Sequence, residues 1–405
     1  MAVTDAPPGA ASTSGADEPP KVALLNNPTV RSYLFQVLLA VAVVYLLWQG
    51  IGNMLANMER AGISTGFGFL DNAAGFAISQ SLIAYEQGAS TYGRVYFVGL
   101  LNTLIIAVVG IFFATILGFM IGVARLSKNW VVNRLATAYV EFFRNIPLLL
   151  HIFIWYFGVL RLLPQARDSF DFGFLGLLNN RGYFAPKPIW GEGAIWIFVA
   201  LVIGVIAAII VSNWAHKRQM ATGERFPSFW TGVGLIVGLP FIVFLILGLP
   251  LTWDIPEAGG FRPRGGMTII PEFIALLVAL VTYTAAFIAE IVRAGILGVY
   301  KGQTEAAHAL GLRQGQNLNL VVIPQALRII IPPLTSQYLN LTKNSSLAVA
   351  IAYPDLVSVF QGTTLNQTGL APQIVAITML TYLTISLLTS AFMNWYNSRV
   401  ALVER

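Results

Sequence analysis

The 405-residue chain has no cysteine, and that single absence removes disulfides, thiol catalysis and thiolate metal sites. Histidine is nearly as scarce: His151, His216 and His308 stand far apart without ligand-like spacing, so no metal site is expected. No Gly-x-x-x-x-Gly-Lys-[Ser/Thr] run occurs, so any ATP the protein depends on must be bound by another chain. Charge is thin as well. Charged residues make up 10% against 56% hydrophobic, which is too apolar for an ordinary soluble domain and implies a polytopic membrane protein. The net charge of +6 comes from 24 Lys+Arg over 18 Asp+Glu. These charges are scattered through short loops, which argues against nucleic-acid binding and fits the bias of basic residues toward the inner membrane face.

What is present is a series of apolar runs. Residues 1–30, rich in Ala, Pro, Ser, Thr, Gly and Asp without apolar periodicity, read as a disordered tail on the inner side. A first span from about Ser32 to Gly52 is long enough to be a retained helix rather than a leader. Residues 53–93 then read as an outside loop with one or two surface-lying helices, completing a region at 31–93. Further spans are expected at about 95–123, 139–162, 194–214, 229–249, 270–299, 328–352 and 374–396, giving an all-α bundle of about eight transmembrane helices with 94–397 as its main domain. Gly118-x-x-x-Gly122 in the second span reads as ordinary packing glycines. The inside turn 125–141 carries Arg125, Lys128 and Arg134 against Glu141, whereas the outside loop 351–373 has only Asp355. That asymmetry puts both termini inside.

One polar stretch stands out between apolar neighbours, the loop 301–325. Thr304 to Leu310 is a short helix former with Glu305 in its first turn, where a carboxylate complements the helix dipole. Gly311 suits the left-handed closure of such a helix, and a second short helix, Arg313 to Val322, is expected to follow until Pro324 stops it. The product is a small helical hairpin projecting from the bilayer.

Charges inside the spans ask for partners. Glu290 and Arg293, three residues apart, share a helix face and can pair, although Glu290 is also a candidate for lining a transport path. In the next span Ser336, Asn340, Lys343 and Asn344 form one polar stripe at helical spacing. A mid-span lysine costs roughly 2.5 to 3.5 kcal/mol to insert, so this face must meet protein, water or a polar solute. Asn340, Lys343, Asn344 and Ser345 are therefore candidates for a substrate pathway, with structural pairing to a partner subunit as the alternative for Lys343. Arg144 and Pro147 mark the place where the third span enters the membrane: the proline breaks the hydrogen-bond ladder, and the arginine either snorkels or contributes to gating.

Several of these motifs together resemble a known family. Glu305-Ala306-Ala307, three residues, Gly311, nine residues, then Val321-x-Ile323-Pro324 is similar to the EAA loop of membrane subunits of ATP-binding-cassette (ABC) importers. Phe143-Arg144-x-x-Pro147-Leu148, Ala289 to Ile296 (AEIVRAGI) and Leu341 to Ala348 (LTKNSSLA) resemble the polar amino-acid importers, and the first and last of these stand with the EAA loop in the order of that family. The two extra helices within the core and the extended N-terminal portion resemble the long, Q-type permease subunit of general L-amino acid importers. The resemblance implies a type I (MetI-like) core in a bacterial inner membrane, with Glu305, Ala306, Ala307, Gly311, Ile323 and Pro324 in the loop that couples to an ATPase. It also implies a complex with a second, M-type permease subunit, two ATPase subunits holding ATP and Mg, and a periplasmic amino-acid-binding protein. No cofactor is expected in this chain. A secondary amino-acid transporter without an ATPase would not need a coupling loop of this kind, and a membrane enzyme would need a cluster of catalytic groups that the sequence lacks.

Overall fold

The structure, a computed structural model, describes residues 28–63, 65–224, 226–259 and 263–400. The tail expected at 1–30 lies outside the described residues as far as position 27, and a helix starts at Pro28. The described residues fall into two compact units, divided between Phe67 and Gly68. In the first, α1 (Pro28–Arg60) is a single helix of 33 residues, more than enough at 1.5 Å per residue to cross a bilayer, and its side chains are almost all exposed.

In the second unit the loop before α2 is extended chain with one 3₁₀ turn, Gly68–Asp71. Apart from that turn, the surface-lying helices expected at 53–93 are not found among the described residues, and 53–60 is the end of α1 rather than loop. α2 (Tyr92–Ala124) is the first helix of the core and packs along α7 (Pro271–Leu297). The small residues of α2 decide how closely: a Cβ on Gly118 would stand 2.5 Å from Ile288, and one on Gly122 2.7 Å from Val292. These glycines therefore join two helices of one chain.

The span expected at 139–162 is two helices with a sharp bend. α3 (Trp130–Asn145) meets the segment 148–162 at 104°, with the break at Ile146-Pro147. Pro147 cannot donate to the ladder, and the residue before it is pushed into extended backbone, so Ile146 takes φ −105°, ψ 132°. α3 is amphipathic: Ala136 and Val140 are buried toward α7, while Trp130, Leu135 and Phe142 are exposed. The crossing portion begins at α4 (Leu148–Phe153) and winds through a π turn to Leu162.

Beyond Leu162 the expected outside loop holds β structure that the sequence reading did not anticipate. β1 (Phe170–Asp171), β2 (Leu177–Asn179), β3 (Gly182–Ala185) and β6 (Met267–Ile269) form one antiparallel sheet, and β4 (Lys187–Trp190) pairs with β5 (Leu251–Asp254) as a ribbon. Strands this short give no periodic signal. Between β4 and β5 run α5 (Ile195–Thr222) and α6 (Ser228–Ile246), which pack on each other.

β6 leads into α7, which leads into α8 (Lys301–Ala309). At 27 residues α7 is about 40 Å long, so the sheet and α8 lie at opposite ends of the bundle. A chain of helix follows: α9 (Gln314–Asn317), a π turn (Leu318–Val322), α10 (Ile323–Asn344) and a 3₁₀ stretch (Ser345–Ile351). Pro324 does not stop the helix. It sits at the start of α10, and the wide π turn before it absorbs the missing N–H and ring clash that would break a regular ladder. A π turn (Val357–Thr364) and α11 (Leu365–Thr368) connect to the last helix, α12 (Ala371–Val400). The buried core is drawn from α2, α4, α7 and α10, with Ile106, Ile152, Leu276, Ile288 and Ile330 fully enclosed.

Candidate functional site

Four groups of residues singled out in the sequence fall in four places. The first is the hairpin after α7. α8 starts one turn before Thr304 because Tyr300 is already extended and caps it, and it ends at Gly311, whose φ of +74° lies in the left-handed region. The Gly311 N–H donates to the His308 carbonyl at 2.9 Å and the Leu312 N–H to that of Ala307 at 3.1 Å, closing the helix as a glycine stop does. Gln316 Oε1 then accepts from the Arg313 N–H at 3.0 Å and starts α9. Of the EAA residues, Ala307 is buried, whereas Glu305 and Ala306 face outward. Large apolar side chains of this polar hairpin and its stem are also exposed, most of all Tyr300 at 79% and Leu310 at 81%, with Leu318 and Leu320 beside them.

The second place is the polar stripe of α10. Ser336, Asn340 and Lys343 are exposed and Asn344 is half-buried. Lys343 lines a cavity of about 420 Å³ between the end of α10 and α12, with Ser346, Gln361, Thr378 and Tyr382 among the other walls. Ser345 is separated from the stripe: it is fully buried and its hydroxyl donates to the Thr342 carbonyl at 2.7 Å.

Glu290 occupies the third. It does not line the Lys343 cavity; it is the counter-charge of three arginines. Arg125 from the end of α2 bonds one carboxylate oxygen, Arg293 reaches the other at 2.7 Å, and Arg144 lies 3.9 Å away. The Arg144 guanidinium also sits 5.2 Å from the centroid of the Phe287 ring. Three helices, α2, α3 and α7, are tied at one carboxylate. The fourth place, Pro147, is the bend itself, where Phe143 stacks on His151 with centroids 5.0 Å apart.

This arrangement can be set beside known proteins. Residues 223–402 match the family model for binding-protein-dependent transport system inner membrane components. The chain is 57% identical to the general L-amino acid transport system permease protein AapQ of Rhizobium johnstonii, over 94% of this chain and 95% of that protein. It belongs to the amino-acid ABC transporter permeases. This chain is also 52% identical to the putative amino-acid ABC transporter permease YhdX of Escherichia coli, over 94% of this chain and 96% of that protein. It is 42% identical to BztB, a glutamate/glutamine/aspartate/asparagine transport permease of Rhodobacter capsulatus, over 96% and 99%. A solved amino acid ABC transporter with histidines aligns over 76% of this permease and 95% of its own chain, at 19% identity and a TM-score of 0.46.

The permease also contains a buried polar knot that sequence reasoning missed. Asp355, read only as a loop acid, is fully buried. Its Oδ1 accepts from the Ser358 N–H at 2.8 Å, and burial raises its pKa to about 7 against the opposing pull of the Ser358 and Val357 backbone and the Tyr382 hydroxyl. Around it, Asn102 Nδ2 donates to the Pro354 carbonyl at 2.8 Å and to that of Gln80 at 2.9 Å, Thr103 Oγ1 accepts from the Leu356 N–H at 3.0 Å, and the Tyr353 hydroxyl donates to the Asn102 carbonyl at 3.1 Å. The knot pins the loop after α10 to α2. The only signal in the sequence was the polar pair Asn102-Thr103 inside an otherwise apolar span.

Proposed function

We propose that this permease forms one half of the translocation path of an ATP-driven, binding-protein-dependent importer of L-amino acids in the bacterial inner membrane, with both termini cytoplasmic. The observation that carries the reading is the α8 hairpin: a rigid, polar helix outside the spans that nonetheless presents Tyr300 and Leu310 to solvent. Exposed apolar groups on such an element fit a groove in another protein. In the complex that protein is the ATPase, present twice, which holds ATP and Mg; this chain supplies no cofactor. A second, M-type permease completes the path, and a periplasmic binding protein delivers the amino acid. High identity over nearly the full length of general amino-acid permeases supports the choice of substrate class.

ATP binding would close the ATPase pair and carry the hairpin with it. Because α7 runs directly into α8 and α10 packs along α7, a displacement of α8 is passed to two core helices at once. The Pro147 bend lets the segment 148–162 swing relative to α3, and the Glu290 cluster, including Arg144, holds the cytoplasmic ends together while it does. Lys343 and Asn340, on the exposed stripe, present charge and hydrogen-bonding groups to the carboxylate of a passing amino acid. Asn344 extends the stripe, whereas Ser345 supports its backbone.

The test is reconstitution of the full complex with Glu305→Lys or Gly311→Asp in this chain. The expected result is normal assembly with ATP-driven uptake reduced roughly 5- to 150-fold, the range of a lost coupling energy of about 1 to 3 kcal/mol. Uptake at the wild-type rate in either variant, or uptake by the purified chain without an ATPase, would end the coupling assignment.

A further inference from the structure

At the end of α7 opposite the hairpin, three parts of the chain border an open cleft of about 380 Å³ lined by Tyr156, Arg161, Asn180, Arg181 and Glu272 among others, with both arginines exposed. Its size is within the range of small-molecule sites. Each wall is fixed by its own chemistry. Tyr156 and Arg161 come from the end of the bent span, with the Arg161 guanidinium 5.4 Å from the centroid of the Tyr156 ring and 5.8 Å from that of Phe157. Glu272 is in the first turn of α7, and the Tyr156 hydroxyl donates to its Oε1 at 2.7 Å.

Asn180 and Arg181 form the two-residue turn between β2 and β3. The Asn180 N–H donates to the Pro164 carbonyl at 2.9 Å, the Arg181 N–H donates to Asn179 Oδ1 at 2.8 Å, and β3 pairs with β6 just before α7 begins. The turn is thus anchored to both other walls. Among the described residues neither Arg161, Arg181 nor Glu272 takes part in an ion pair.

Two guanidiniums, of which Arg161 meets the Tyr156 hydroxyl and the charge of Glu272 while Arg181 has no ion pair among the described residues, and one carboxylate around a space of this size are complementary to a small molecule bearing both a carboxylate and an ammonium group. We infer that this cavity is an outer binding site for an α-amino acid zwitterion, distinct from the Lys343 stripe and built by the β-hairpin inserted between α4 and α5. The inference rests on the importer reading above. In it, Arg181 and Arg161 hold the α-carboxylate, Glu272 accepts from the α-ammonium, and the side chain of the amino acid points to the open mouth.

The experiment measures binding of radiolabelled L-glutamine to the purified full complex without the binding protein, alongside ATP-driven uptake by the same preparation with it. Saturable binding is expected, displaced by glycine but not by acetate or methylamine. Arg181→Ala and Glu272→Gln should each weaken it about ten- to hundredfold, the loss of one charge-assisted contact, while Arg181→Lys retains most of it. Binding that persists in Arg181→Ala and Glu272→Gln but vanishes in Lys343→Met would overturn the inference, as would no binding by a complex that transports normally. A rise only in the concentration of binding protein needed for half-maximal uptake would assign the charges to protein docking instead. Absence of ATP-driven uptake in the wild type would be a failure of the importer reading, and uptake reports that separately.

Discussion

Asp355 has the largest mismatch between its chemistry and its surroundings. An ordinary aspartate titrates near 3.8, but burial among Tyr353 and the start of α2 raises this one to about 7. Well below pH 3.8 the carboxyl is protonated in the folded and unfolded chain alike and contributes no pH dependence. As pH rises toward 7 the unfolded chain releases the proton while the folded chain holds it, so stability falls, each unit of separation being worth about 1 kcal/mol. The thermal midpoint of the purified protein should therefore decline between about pH 4 and pH 7 and level off above, and Asp355→Asn should flatten that decline; an unchanged slope would count against this origin. Lys343 poses a different question. Lys343→Met should lower uptake by the assembled complex with little change in its amount on a native gel, whereas loss of the complex itself would mean that the lysine joins subunits. The charge of Lys343 and its cost in a span were legible in the sequence, but Asp355 was not. A lone acid between two spans looks solvated until the chain folds back over it, and only long-range contacts show that Asn102 and Tyr353 close the lid.

At the level of elements, close approach and bends carry the argument. Gly122 lies where α2 meets α7, so Gly122→Val should force the helices apart, at about 1 to 3 kcal/mol or more for overpacking, and reduce the yield of folded protein in membranes. The control is an equal substitution at Gly234, where nothing stands within 4 Å of a Cβ. Helices α1, α2, α5, α6, α7 and α12 were readable from the length of their apolar runs, and the hairpin from Gly311 and its polar neighbours. Two features were not. A proline marks a broken ladder but does not say which way the chain resumes: at Pro147 it turns by 104°, while at Pro324 a π turn lets the helix pass almost undisturbed. The β strands escaped for the opposite reason, since such short runs barely reach the roughly four to eight residues over which alternation can be recognised.

For the whole molecule, the absence of cysteine is an experimental advantage. A single cysteine at His308, on the exposed face of α8, and another at Asp168, in the loop after the bent span, should react with an impermeant thiol reagent from opposite sides of sealed vesicles. Labelling of both from one side would contradict the arrangement of α7 between them. The β4–β5 ribbon has a different consequence. Its register sets Trp190 opposite Leu251, with the Gly191 N–H donating to the Pro250 carbonyl at 2.9 Å, so the chain leaves for α5 and returns from α6 at nearly the same point. A segment whose two stems already touch is a cassette. It can be spliced in or out through a short turn without asking the helices on either side to move, which gives one lineage of permeases a way to grow an extra membrane hairpin while its motor-facing machinery stays as it was.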